Sequence, residues 1–190
     1  MSTLTPETTI DADVADLEAR FYEPCGTETA KDFSGAPRVA RLQGTTIALL
    51  SNQKRNADRL LELVAQLLLD EHGIGATVVD KKEAMSLPAP DDQLRDLARR
   101  AEALVVAVGD CGSCSATSVM DAVAAERLGL PAVPIVTGQF QSGADMVATI
   151  QGATGFPMAY VEHPIATLDE DGLRERARAA VEQIVAILTN

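Results

Sequence analysis

From Thr45 onward, short apolar runs rich in β-branched residues alternate with longer stretches of helical period. Thr46–Leu50, Ala76–Val79, Ala103–Val108, Pro131–Thr137 and Met158–Val161 read as strands. Between them, Ala57–His72, a segment from Asp91 or Asp92 to Glu102, Ala116–Leu128 and Gln141–Gly152 read as helices. Asp169–Leu188 closes the chain as one more. On the first helix, Leu60, Leu61, Val64, Leu67 and Leu68 share a stripe, and Gly73 and Gly75 stop it. On the last, Leu173, Ala177, Val181, Ile184, Val185 and Leu188 face inward. Strands that alternate with helices run parallel, and right-handed crossovers place helices on both faces.

The expected fold class is therefore α/β. It is a three-layer, doubly wound parallel sheet of about five strands, flavodoxin-like, in the order 2-1-3-4-5. In that order strands one and three are neighbours, and the winding reverses between them. Loops Ser51–Asn56 and Asp110–Ser115 then flank one crevice, with Thr137–Phe140 and Glu162–Ile165 along the same edge. Residues 45–190 form a single domain of this kind. Residues 1–44 lack the pattern and read as an N-terminal arm, with one short helix over Asp11–Tyr22 (Val14, Leu17 and Phe21 on one face) and a turn at Glu23-Pro24-Cys25-Gly26. The arm either packs on the domain or a second subunit, or trails free.

The chemistry concentrates at Gly109-Asp110-Cys111-Gly112-Ser113-Cys114-Ser115, between the third strand and its helix. Cys111 and Cys114 form a C-x-x-C pair at a helix start. Helix N-termini favour anions, and a thiolate is the reactive form of cysteine. Cys111 is nearer the strand end and expected to be exposed. Cys114 is expected to be half buried. Ser113 or Ser115 is a candidate helix cap. A carboxylate at Asp110 would raise a thiol pKa unless it points away. Gly109 and Gly112 give the turn the look of one built for close backbone approach to a ligand.

Several uses fit the pair. Cys111 could attack a disulfide or peroxide, with Cys114 resolving the product. It could instead attack carbon and form a transient adduct. A metal would need two further ligands, for which only Cys25 and His163 stand out, and none is expected. Two small apolar residues packing at a helix start is the plainest alternative.

Other residues expected at the crevice are Asn52 and Lys54, with Lys54 or Arg55 able to hold a substrate carboxylate or a thiolate. Asn56 or Ser51 can cap the following helix. Thr137, Gln139 and Phe140 end the fourth strand, and His163 follows the fifth as a candidate acid or base. His72, at a helix end, reads as structural. There is no G-x-x-x-x-G-K-[ST] and no G-x-G-x-x-G after a strand, and no cofactor is expected.

A formal charge of −12 argues against a nucleic-acid partner and disfavours an anionic membrane surface. No apolar run approaches the ~20 residues that span a bilayer, and the polar, acidic start is unlike a signal peptide. Three cysteines in 190 residues are no disulfide framework. A cytoplasmic protein with reduced thiols is the expectation. Its expected partner is a small-molecule substrate. A thiol-reductant protein and a second copy of the chain, as a homodimer, are candidate partners.

The run Gly109–Ser115 resembles the signature of the UGSC proteins, some of which carry selenocysteine where this chain has Cys111. The resemblance extends through Leu42–Leu50, Asn56-Ala57-Asp58, Asp121-Ala122-Val123, Gly129-Leu130-Pro131 and His163-Pro164-Ile165, covering roughly 38–165. It implies a nucleophilic or redox role for Cys111, with Cys114 as resolving partner. More distantly, the turn, its helix and the His163-Pro164 corner are similar to the selenocysteine region of glycine, sarcosine and betaine reductase component B, where the selenol takes an alkyl group from a small amine. Relatives tend to show Gly and Pro in the first loop, where this chain has Gln53 and Arg55. Cys25 stands where relatives often have Thr, so it is a candidate extra thiol. The leading expectation is an enzyme using Cys111 on a small, carboxylated substrate in thiol redox or group-transfer chemistry. The alternatives are a lyase or hydratase with His163 as acid or base, and a non-catalytic ligand-binding subunit or thiol sensor.

Overall fold

The computed structural model describes residues 33–189. The expected helix Asp11–Tyr22 and the candidate thiol Cys25 lie outside the described residues. The elements are β1 (Thr46–Ser51), α1 (Ala57–His72), β2 (Ala76–Lys81), α2 (Asp91–Arg100), β3 (Ala103–Gly109), α3 (Gly112–Arg127), β4 (Ala132–Thr137), a 3₁₀ turn (Gly138–Phe140), α4 (Gln141–Ile150), β5 (Ala159–Val161) and α5 (Glu170–Thr189). All strands pair in parallel, in the order β2-β1-β3-β4-β5. This is the doubly wound, flavodoxin-like arrangement that the alternation implies.

Central strands account for the continuous apolar runs. Every residue of β3 and β4 is buried, because helices cover both faces there. One core layer lies under α1 and α5, with Ile47, Leu49, Leu60, Val64, Val105, Ile135 and Ile184. The other lies under α2, α3 and α4, with Ala48, Leu50, Leu94, Leu97, Val106, Val119 and Val136. Each fully buried Leu, Ile or Val contributes about 1.5–3 kcal/mol. Gly73 caps α1 with φ 65°, its N–H donating to Leu68 O.

The described end of the arm packs on the domain. Glu126, fully buried at the end of α3, accepts from Ala36 N at 2.5 Å, Arg38 at 2.5 Å and Ala132 N at 2.9 Å. Phe33 meets Phe156 edge-on at 5.7 Å, and Ala36 and Leu42 are buried.

Past the end of β2, Lys82 is fully buried, with 1 % of its side chain exposed. Its ammonium donates to Asp121 Oδ2 and Leu87 O, each at 2.7 Å. Asp121 Oδ1 accepts from Ala89 N at 2.7 Å. Burial pushes the Asp121 carboxyl up, and Lys82 and the Ala89 N–H pull it back. The pair ties the loop 82–90 to the middle of α3. Asp121→Ala leaves an unpaired ammonium in the core and should cost about 3–5 kcal/mol in urea unfolding. The double variant Lys82→Met, Asp121→Leu should recover most of that loss.

Candidate active site

The thiol turn sits at the C-terminal end of β3, beside β1, where the winding reverses. The helix begins earlier than its apolar period suggests, at Gly112 rather than Ala116. Cys111 itself is the N-cap, in extended conformation, and its Sγ accepts the Cys114 N–H at 3.3 Å. Ser113 and Ser115 are therefore not the cap. Ser115 is buried, and its hydroxyl donates to Cys111 O at 2.7 Å. Ser113 is exposed, with its hydroxyl 3.7 Å from Cys111 Sγ.

Packing requires Gly109. A Cβ there would lie 2.9 Å from the Cα of Ser115 and 3.0 Å from Val136 Cγ2. The first turn of α3 rests directly on the end of β3. Gly112, by contrast, faces open space.

Cys111 is the more exposed thiol, as expected, but each is buried further than the sequence implies, because the first turn of α3 rests on β3. Cys111 is partly exposed and Cys114 is buried. Burial works against ionising Cys111, but the Cys114 thiol and backbone N–H, the Ser113 hydroxyl and Lys54 outweigh it. They lower its pKa from 9.0 to about 7. Cys114 is pushed up, first by burial and then by the neighbouring Cys111. Burial also opposes the Lys54 charge, yet Cys111, Cys114 and Asp110 raise its pKa on balance. Lys54 Nζ lies 3.7 Å from Cys114 Sγ. The first turn of α3 carries no acidic residue, whereas α1, α2 and α5 each carry at least one. The positive end of α3 is left to the sulfur.

Asp110 points away from the thiols. Its Oδ2 accepts from Ala166 N at 3.0 Å. Its Oδ1 lies 2.8 Å from His163 Nδ1, off the line of a well-aligned hydrogen bond. Thr137 Oγ1 is 3.3 Å from the same nitrogen and donates to Gly109 O at 3.2 Å. His163, a third exposed, also meets Phe140 edge-on at 5.6 Å. Gln139 is exposed on the 3₁₀ turn, and Phe140 is half-buried.

Asn52 does not face a substrate. It is fully buried, its amide donating to Val108 O at 2.9 Å and its Oδ1 accepting from Lys54 N at 3.2 Å. It fastens the first loop to the end of β3 and so aims Lys54 at Cys114. Arg55 is exposed. Asn56 holds the left-handed N-cap position of α1 (φ 69°) without a capping bond from its side chain. Its amide instead donates to Ile165 O and Leu168 O, each at 3.0 Å. Ser51 braces Gln53 N at 3.0 Å and bonds Asp58.

The site therefore gathers Cys111, Cys114, Lys54, Ser113, Asp110 and His163, with Asn52, Ser115 and Thr137 beneath as braces. The sequence reading missed Lys82. Asp121, a charge flanked by Val119, Ala122 and Val123 on a buried helix face, was the one available signal. Among the described residues, no three His, Cys, Asp and Glu side chains converge to hold a metal, and no helix is long and apolar enough to cross a membrane.

Comparison with known proteins agrees with the motif. The model of the UGSC family matches residues 20–190. No curated protein matches the chain. Among solved structures, a diflavin flavoprotein A3 from Nostoc sp. is similar at 18% identity and TM-score 0.38, covering 73% of this chain and 90% of that one.

Because the thiolate is the reactive form, a depressed pKa brings full reactivity at lower pH. Alkylation of Cys111 should reach half its maximal rate near pH 7, not near 9. Lys54→Met removes a cation and should move that midpoint up by as much as about one unit. A stopped-flow alkylation series against pH, with intact-mass detection, reads both.

Proposed function

The chain belongs to the UGSC family, and we propose that it is a thiol-dependent enzyme in which Cys111 is the nucleophile and Cys114 the assisting thiol. The division between the two sulfurs carries this reading. The partly exposed thiol is drawn down to about 7 and the buried one is pushed up. A thiol whose pKa lies near ambient pH attacks fastest, combining thiolate population with nucleophilicity.

The Cys111 thiolate attacks one sulfur of a small disulfide. It forms a mixed disulfide and expels the other half as a thiolate, which takes a proton from water. Cys114 then gives its proton to solvent and attacks Cys111 Sγ. That closes a Cys111–Cys114 disulfide and releases the second half of the substrate. Two electrons pass from the cysteine pair to the substrate. A thiol-reductant protein returns two electrons and two protons to the pair. Lys54, 3.7 Å from Cys114 Sγ, steadies the resolving sulfur while it is anionic. A cytoplasmic setting, where thiols are kept reduced, suits this cycle.

A carboxylated substrate fits the same corner. The first-turn N–H groups of Gly112 and Ser113 have no partner among the described residues, and nothing lies within 4 Å of where a Cβ on Gly112 would stand. Lys54 adds the cation. A second reading, a lyase or hydratase, draws on His163. Asp110 and Thr137 flank its Nδ1, which leaves Nε2 to move a proton while Cys111 adds to an activated carbon. A stable carbon adduct on Cys111 after incubation with α,β-unsaturated acids would favour this second reading.

Treatment with a small disulfide should lower the intact mass by that of two hydrogens. Cys114→Ser should instead retain a mixed-disulfide adduct, and Cys111→Ser should do neither. A wild-type pair that stays reduced, or a Cys111→Ser variant that reacts like wild type, would sink the redox reading.

A further inference from the structure

The two edges of the sheet are finished differently. At β5, the Gln183 side chain takes the place of a neighbouring strand. Its Oε1 accepts from Tyr160 N at 2.9 Å, and its Nε2 donates to Tyr160 O at 2.7 Å. Tyr160 is the middle residue of a three-residue strand, so that edge is closed.

The β2 edge is open along half its length. Ala76 N and Lys82 N donate inward, to Thr45 O and Ser51 O of the β1 chain. By alternation, Thr77, Val79 and Lys81 turn their backbone groups outward. Lys81 is satisfied locally. Its N–H donates to Asp80 Oδ1 at 2.7 Å, and its carbonyl accepts from Gln93 Nε2 at 2.8 Å. Among the described residues, nothing bonds the outward groups of Thr77 and Val79. Val79 is 61% exposed, and Leu69 beside it on α1 is 39% exposed. Thr77, Val79, Leu61, Ala65 and Leu69 form the apolar part of a groove of about 310 Å³ at this edge, whose lining also includes Glu62 and the Lys81–Asp58 ion pair. An open edge whose unbonded stretch carries no charge is a template for another strand.

We propose that this edge is an interface between two copies of the chain, joined by antiparallel β2–β2 pairing about a twofold axis at Val78. That register sets Thr77 of each copy opposite Val79 of the other. Both pairs are then hydrogen-bonded ones, each exchanging two backbone bonds. The α1 groove is covered on one face of the extended sheet. The other face supplies the argument for a second copy over an unrelated strand. α2 lies at this edge through Gln93, and it is acidic at its start (Asp91, Asp92) and basic at its end, where Arg99 and Arg100 each give one nitrogen to Asp96 at 2.9 and 2.8 Å and keep the rest of the guanidinium exposed. All four of these residues are exposed. A twofold axis at β2 runs α2 antiparallel to its copy and sets the acidic end of each toward the basic end of the other. Isologous interfaces need this self-complementarity. The thiol turn, two strands away on β3, stays clear of the contact.

Sedimentation equilibrium of the full chain tests the interface, with circular dichroism checking that each variant folds. The wild type should be dimeric at micromolar concentration. Val79→Lys should weaken the dimer by about tenfold or more, because it sets charge into the apolar pairing site. Met146→Lys, an equally exposed position on α4, should leave it unchanged. Reversing Arg99 and Arg100 to Glu should weaken the dimer, and adding Asp91→Lys and Asp92→Lys should restore it. A wild type that stays monomeric at tens of micromolar would overturn the proposal. So would a dimer indifferent to Val79→Lys, or one equally sensitive to Met146→Lys. Failure of the charge swap to restore association would overturn the antiparallel twofold register.

Discussion

At the start of α3, a sulfur occupies the place where most helices put an oxygen. Cys111 Sγ accepts the Cys114 N–H, so one atom both caps the helix and carries the reactivity. Ionising that sulfur strengthens the cap, because a thiolate is the better acceptor and the helix end carries partial positive charge. Most of the surrounding architecture serves to hold this atom in place. The missing Cβ of Gly109 lets the first turn of α3 sit on β3, and Ser115 ties the turn back to Cys111 O.

The polar residues around the turn divide into those that face it and those that hold it. Asn52, Asp110, Thr137 and Asn56 spend their side chains on backbone groups or side chains of neighbouring loops. Together they stitch the ends of β1, β3, β4 and β5 into one surface. Such groups are costly to bury unless bonded, and bonding them to the backbone of neighbouring loops fixes those loops against one another. Lys54, 3.7 Å from Cys114 Sγ, and His163, a third exposed, stand beside the turn that this stitching holds. On the α2–α3 side, the buried Lys82–Asp121 pair does the same for the loop after β2.

The edges of the sheet follow a similar logic. One polar side chain, Gln183, closes β5 because only Tyr160 there turns outward. β2 is twice as long and turns three residues outward, of which, among the described residues, only Lys81 is answered locally. The unanswered pair coincides with exposed apolar side chains, so hydrogen bonding and hydrophobic burial both favour covering the same place.

The alternation of β-branched runs with helical stripes determined the fold class, a parallel sheet covered on both faces, because strands joined through helices run parallel. The strand order, one of several that five such units allow, was decided by the tertiary structure. Helix α1 could be bounded to the residue, since Gly73 stops it and its leucines mark one face. The spacing of Cys111 and Cys114 located the reactive turn. What the sequence could not carry was the direction of individual polar side chains. Asn52, Ser115 and Thr137 have the composition of ligand-binding residues, and only the packing of β1 and β4 against β3 turned them inward. The start of α3 was hidden because Gly112-Ser113 has no apolar period, and its helicity depends on a cap formed by Cys111. In the sequence Lys82 stands between Lys81 and Glu83, as a solvated loop charge would. Its burial was decided by Asp121, 39 residues away in sequence, and contacts across that distance exist only once the sheet has brought the elements together.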